Sequence, residues 1–247
     1  MLNLFRRQRR GGLPQSLPRI PERLGWLAAL EAERQQRLLQ LAAVVLQEKT
    51  FTPVQGLQLD TAQREILATL LALPLLEFGR EGLHGWSEVV LYPGAFRVQR
   101  QHHDEDTGVL SEWDDDLAGE SWEYGPLILS WDDVLADLDD PRAGYCLVAH
   151  EMAHKLDALD GVMDGTPPLP AAWQRQWAQD FQREFDAFCA RVDAGEETPI
   201  DDYAAEAPEE FFAVASEYHF SAPALLAEHL PRVAAHLQRF YGPSPLA

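Results

Sequence analysis

Cysteine is nearly absent: Cys146 and Cys189 are the only two in 247 residues. A chain so poor in thiols is not organised by a disulfide framework, and two reduced thiols suit a cytoplasmic protein. Long apolar runs are missing as well. The longest candidate, Ile66 to Phe78, is interrupted by Pro74 and Glu77, so no segment offers the roughly 20 apolar residues that a membrane-spanning helix needs. Cations are scarce: 20 Lys and Arg stand against 40 Asp and Glu, a formal net charge of −20. Binding that depends on neutralising phosphates is thereby excluded as the main function, whether the ligand is a nucleic acid or an anionic membrane. Internal repeats and low-complexity blocks are also lacking, which leaves one compact domain as the expectation.

What is present is ample for a core, with 46% of residues apolar and 10% aromatic. The first residues, Met1 to Arg10, are basic, but Gly11, Gly12 and Pro14 stand where the apolar stretch of a signal peptide would begin. Residues 1–21 therefore read as a flexible basic tail and 22–247 as the folded domain. Apolar residues at helical spacing run from Glu22 to about Lys49, and Asp60-Thr61 opens a second such run. The middle third changes character. Ser87 to Tyr92 and Gly125 to Trp131 are short β-rich runs, with Phe96 to Val98 extending the first, and the acidic stretch between them suits an exposed hairpin or loop. Helices return after Asp132. Asp139-Asp140-Pro141 reads as a helix start, with the helix ending near Gly161. Trp173, Trp177, Phe181, Phe185 and Phe188 form a core-facing stripe, and Pro208 to Phe220 and Ala224 to Tyr241 give the last segments. The expected class is α+β, mainly helical with a small mixed sheet.

The chemistry lies in His150-Glu151-Met152-Ala153-His154. With 3.6 residues per turn, His150 and His154 project from one face of a helix and can hold a single Zn²⁺, while Glu151 beside them can take a proton from water. Two histidines leave a zinc site short of a ligand. Cys146 precedes His150 by one turn, but three consecutive turns do not converge easily on one ion, so it reads as a small buried hydrophobe. Asp157, three residues after His154, reads as an acceptor that could steady a ligand imidazole. Downstream, Glu209, Glu210 and Glu217 are carboxylates on an otherwise apolar helix, and any of them could face an unfinished site. His102 and His103, adjacent on an extended segment, point to opposite faces and read as surface histidines.

Four segments together carry a family resemblance: Val89 to Phe96, Leu127 to Val134, His150 to Gly161, and Glu210 to Tyr218. Over roughly residues 26–241 the chain resembles the Mlc titration factor A family of bacterial zinc peptidases. That family in turn resembles the catalytic domain of anthrax lethal factor, a zincin. The resemblance implies a zincin-like fold, one Zn²⁺ per chain on His150, His154 and Glu210, Glu151 and Tyr203 as catalytic residues, and aminopeptidase-like cleavage of peptide substrates. It also implies a partner, an Mlc-type transcriptional repressor, and through it a part in regulating sugar uptake by the glucose phosphotransferase system. The alternative it leaves open is a non-catalytic regulatory binding protein on the same scaffold. Tyr203 makes chemical sense, since a phenolic O–H can donate to a carbonyl oxygen that gains negative charge. Glu217 could accept a hydrogen bond from a ligand imidazole. In one respect the chain departs from the family, which usually has Thr followed by Asn or Asp before the proline of the last segment. Here Glu206 and Ala207 stand there, and loss of the capping side chain weakens a helix start by about 1 kcal/mol.

Overall fold

The computed structural model describes residues 19–94, 96–103, 110–117 and 125–247, with 96–103 and 110–117 described as backbone alone. The basic run of the expected N-terminal tail lies outside the described residues. The chain enters through a 3-10 helix, Glu22–Ala29, followed by helix α1 (Ala32–Glu48). The single helix expected from Glu22 onward is thus divided. Leu24, Leu27 and Leu30 recur every third residue and all are buried, a spacing that suits three residues per turn better than 3.6. Strand β1 (Thr50–Pro53) comes next, too short for an alternating pattern to reveal it. Helix α2 (Thr61–Ala72) starts where Asp60 and Gln63 form a reciprocal capping box.

Strands β2 (Glu88–Tyr92), β3 (Phe96–His103), β4 (Leu110–Leu117) and β5 (Leu127–Ser130) follow. They do not make the one mixed sheet that the sequence suggests. The order β1-β2-β5 is parallel throughout, with Phe51 opposite Val89 and Val89 opposite Leu127, while among the described residues β3 and β4 pair with each other, antiparallel, and not with that sheet. The physical reason is connectivity: parallel neighbours require a crossover, and α2 supplies one between β1 and β2. These two strands fall between β2 and β5 along the chain, where the sequence placed a hairpin or loop; its expected exposure lies outside the described residues.

From β5 the chain passes directly into α3 (Trp131–Asp139), whose N-cap Ser130 accepts from the Asp133 N–H. Helix α4 (Leu147–Asp157) carries the two histidines. It begins six residues later than Pro141, because Asp140 is spent in a turn, accepting from Arg142 N. The first turn of α4 is instead satisfied from a distance: Asp137 Oδ2 accepts from Leu147 N and Glu217 Oε2 accepts from Cys146 N, both at 2.8 Å. The helix ends as expected, in a 3-10 turn closed by Gly161 at φ 92°.

Helix α5 (Ala171–Asp193) buries Trp177, Phe181 and Phe188, as its aromatic stripe predicts. Helix α6 (Pro208–Ser221) is buried along most of its length and packs on α4. Proline divides the final segment into α7 (Pro223–His229) and α8 (Pro231–Tyr241), the residue before Pro231 being forced out of the helical region. Helix α4 also contacts α2, α3 and β5. Its apolar residues Val148, Met152 and Leu156 are buried in the hydrophobic core, which fixes the helix that carries the histidines. Among the described residues no helix is long and apolar enough to cross a membrane.

The depth of α6 has a pH signature. His219 is 3% exposed, its Nε2 has no hydrogen-bond partner, and burial depresses its pKa to about 4. The unfolded chain takes up this proton below pH 6.5 and the folded chain does not until about pH 4. Stability from this group is therefore complete above pH 6.5 and lost as pH falls through the folded pKa, by about 1.4 kcal/mol per pH unit. Urea unfolding at pH 7 and pH 5 is expected to show His219→Gln losing about 2 kcal/mol less than wild type over that interval. Parallel losses in the two proteins would refute the assignment to His219.

Candidate metal centre

The helical repeat brings His150 and His154 together as their spacing requires. Their Nε2 atoms lie 3.1 Å apart. Across from them the first turn of α6 presents Glu210, whose Oε2 is 3.2 Å from His150 Nε2 and 3.4 Å from His154 Nε2. A carboxylate in the first turn of a helix is favoured by the exposed N–H groups there. His150, His154 and Glu210 form the one group of three or more candidate ligands that converges among the described residues. Ligands held 2.0–2.1 Å from a tetrahedral ion lie roughly 3.4 Å from one another, close to the three separations seen. Glu210 Oε2 is buried and makes no well-aligned hydrogen bond, although it faces two ring nitrogens. Three electron-rich atoms in such contact repel one another unless positive charge sits among them. The donor set, two imidazoles and a carboxylate, is one that zinc takes.

The three groups also shift one another's titration. Burial pulls His150 down, but the carboxylates of Glu210 and Glu217 beside it outweigh burial and hold the ring well above an ordinary histidine. Burial likewise opposes ionisation of Glu210, and the two imidazoles overcome it, leaving its pKa well below the usual carboxylate range. His154 is lowered by burial, so its neutral, ligating form is favoured.

Glu151 is 1% exposed, has Oε2 buried without a partner, and is pushed up to about 7 by burial, with His150 the largest opposing influence. Such a carboxyl is poised to exchange a proton near neutrality. Tyr203 lies on a short 3-10 helix, Asp202–Ala205, with its ring centroid 6.2 Å from that of His150 and 45% of its surface exposed. It stands at the open side of the centre. Glu217, two turns beyond Glu210 on α6, has Oε1 2.8 Å from His150 Nδ1 while its other oxygen holds the start of α4. One carboxylate thus orients the first imidazole and anchors the helix that carries it.

The remaining candidates fall elsewhere. Cys146 is not in the converging set, and burial drives its thiol well above the ordinary range. Glu209 is not in the set either. Asp157 does not hydrogen-bond His154: its Oδ2 accepts from Gly165 N at 2.7 Å, while Asp157 Oδ1 and His154 Nδ1 are both buried without partners. His102 and His103 fall on β3, and the reading of their side chains as surface histidines lies outside the described residues. Sequence reasoning missed Asp137, which holds the Leu147 N–H and is raised to about 7 by burial. Asp137 is one of several aspartates in a short acidic stretch, and no local pattern marks it out.

Comparison with known proteins places the whole chain in a metallopeptidase family. The family described as glucose-regulated metallo-peptidase M90 matches residues 3–242. A protein of Serratia proteamaculans named Mlc titration factor A is 42% identical over 224 residues, covering 90% of this chain and 84% of its own. Its namesake from Yersinia pestis is 41% identical, over 90% of this chain and 82% of its own.

Proposed function

The chain belongs to the glucose-regulated metallo-peptidase M90 family, and from this premise we propose that it is a zinc-dependent peptidase of aminopeptidase-like action. The observation that carries the reading is the meeting of His150, His154 and Glu210 beside the buried, unpartnered carboxyl of Glu151. His150, His154 and Glu210 would hold the metal. A bound zinc supplies Lewis acidity, polarising a peptide carbonyl and lowering the pKa of water. Glu151 accepts the proton of the attacking water at Oε2 and delivers it to the departing nitrogen, a task for which a pKa near 7 is well matched. The Tyr203 O–H donates a hydrogen bond to the carbonyl oxygen as negative charge grows there. Glu217 keeps the His150 proton on Nδ1, leaving Nε2 free to ligate. The burial of Glu151 and His154 thins the water around these charges and strengthens each interaction.

In this reading residues 22–247 form one zincin-like peptidase domain, and the protein works in the cytoplasm. A second reading draws on the relatives' name, which ties them to Mlc. The chain would then capture an Mlc-type repressor and so take part in control of sugar uptake, with or without peptidase action. Two substrates and a chelator test the first reading: an aminoacyl anilide with a free α-amine and its N-acetylated counterpart. The free-amine substrate is expected to be hydrolysed, to be spared once zinc is chelated, and to be cut again when Zn²⁺ is restored, while the acetylated one resists. Hydrolysis indifferent to chelation would remove the metal mechanism. Equal cleavage of both substrates would remove the aminopeptidase character alone.

A further inference from the structure

Glu210 sits in the first turn of α6, and Ala207 at the N-cap offers no side chain to hold that turn. The support comes from the loop that follows α4. Gly165, at φ 78°, lies so close to the start of α6 that a Cβ placed on it would come within 2.5 Å of the Pro208 carbonyl oxygen and 3.4 Å of Glu209 N. Glycine alone permits both the conformation and the approach. Gly165 is in turn clamped on both sides of its own residue. Its N–H donates to Asp157 Oδ2 at 2.7 Å and its carbonyl accepts from Trp177 Nε1 at 3.2 Å, both bonds being buried. Asp157 is the last residue of α4, fully buried, three places after His154. Trp177 stacks on Phe181 at 4.3 Å within the core. Gly165 therefore has little room to recoil if α6 is pushed. The unpartnered Oδ1 of Asp157 adds a cost in stability that hydrophobic packing does not require.

We propose that Asp157 and Gly165 form a strut that sets the spacing between the histidine helix and the first turn of α6, and so places Glu210 against His150 and His154. The inference rests on the metal-site reading. Both are positioning residues, since neither belongs to the converging set.

The test is Zn²⁺ affinity of the full chain, measured by competition with a colorimetric chelator, alongside thermal unfolding. Gly165→Ala and Asp157→Ala are each expected to weaken Zn²⁺ binding 10–100-fold, the usual penalty for losing a group that holds a ligand in place. Asp157→Asn retains a carbonyl oxygen for the Gly165 N–H and is expected to restore most of that affinity. Leu237→Ala, at a fully buried position in α8, serves as the stability control: its Tm should fall at least as far while its Zn²⁺ affinity stays at the wild-type level. Wild-type affinity in both alanine variants, or an equal loss in Leu237→Ala, overturns the strut. If Gly165→Ala does not fold, the two Asp157 variants decide the matter between them. A wild-type chain that takes up no Zn²⁺ overturns instead the metal-site reading beneath the proposal.

Discussion

Glu151→Gln is expected to retain zinc and fold while lowering kcat by about 10²–10⁴, the span a positioned general base contributes. Glutamine has the shape of the protonated glutamate but cannot accept the proton of the attacking water. The buried site gives a second readout in the metal-free chain. A carboxyl whose folded pKa is raised from 4.5 to about 7 contributes its full stability below pH 4.5 and loses it as pH rises through 7. Removing the charge should make metal-free Glu151→Gln more stable than wild type at pH 8, by up to about 3 kcal/mol. Retained turnover would eliminate Glu151 as the base. Capture of an Mlc-type repressor should survive this substitution, which separates binding from catalysis within one protein.

Glu210→Ala is expected to have the larger effect on the metal itself. The substitution removes the sole carboxylate among the three converging ligands, and His150 keeps Glu217 while losing one of its two acidic neighbours. The loss in zinc affinity should exceed the 10–100-fold that follows removal of a mere supporting group. Elemental analysis should find about one zinc per wild-type chain, as a three-ligand site requires, and background levels in the variant. Hydrolysis should vanish with the metal. A full complement of zinc in Glu210→Ala would show that α6 does not supply the third ligand.

The parts of the molecule that were legible are those in which the information is local. A five-residue spacing is enough to place His150, Glu151 and His154, because the helix repeat converts it directly into geometry. The aromatic stripe of α5, the Asp60 start of α2 and the Gly161 stop after α4 are legible for the same reason. Glu210 is different. Nothing local distinguishes it from Glu209 or Glu217, and its place as third ligand was implied by family resemblance, with the meeting of α4 and α6 supplying the geometry. The start of α4 shows why some features stayed hidden: its first N–H groups are satisfied by Asp137 and Glu217, the latter 71 residues from Cys146. Asp140-Pro141 has the chemistry of a cap but is drawn into the turn between α3 and α4. Likewise, the separation of the hairpin from the parallel strands follows from how the chain crosses over, which short apolar runs do not encode.

Glu217 grips His150 and the beginning of α4 from the same helix that presents Glu210, and both helices are anchored in the apolar core. The donor atoms are therefore held near one another by the fold itself. Small zinc domains that are unfolded without metal draw their folding free energy from the ion. A zinc ion held by His150, His154 and Glu210 would reinforce a fold that the packing of α4 on α6 already supports. By mass action that reinforcement reaches about 4 kcal/mol when free zinc is a thousandfold above its dissociation constant, and it fades smoothly as zinc becomes scarce. Zinc supply would then tune how long the folded chain persists as well as whether it can act.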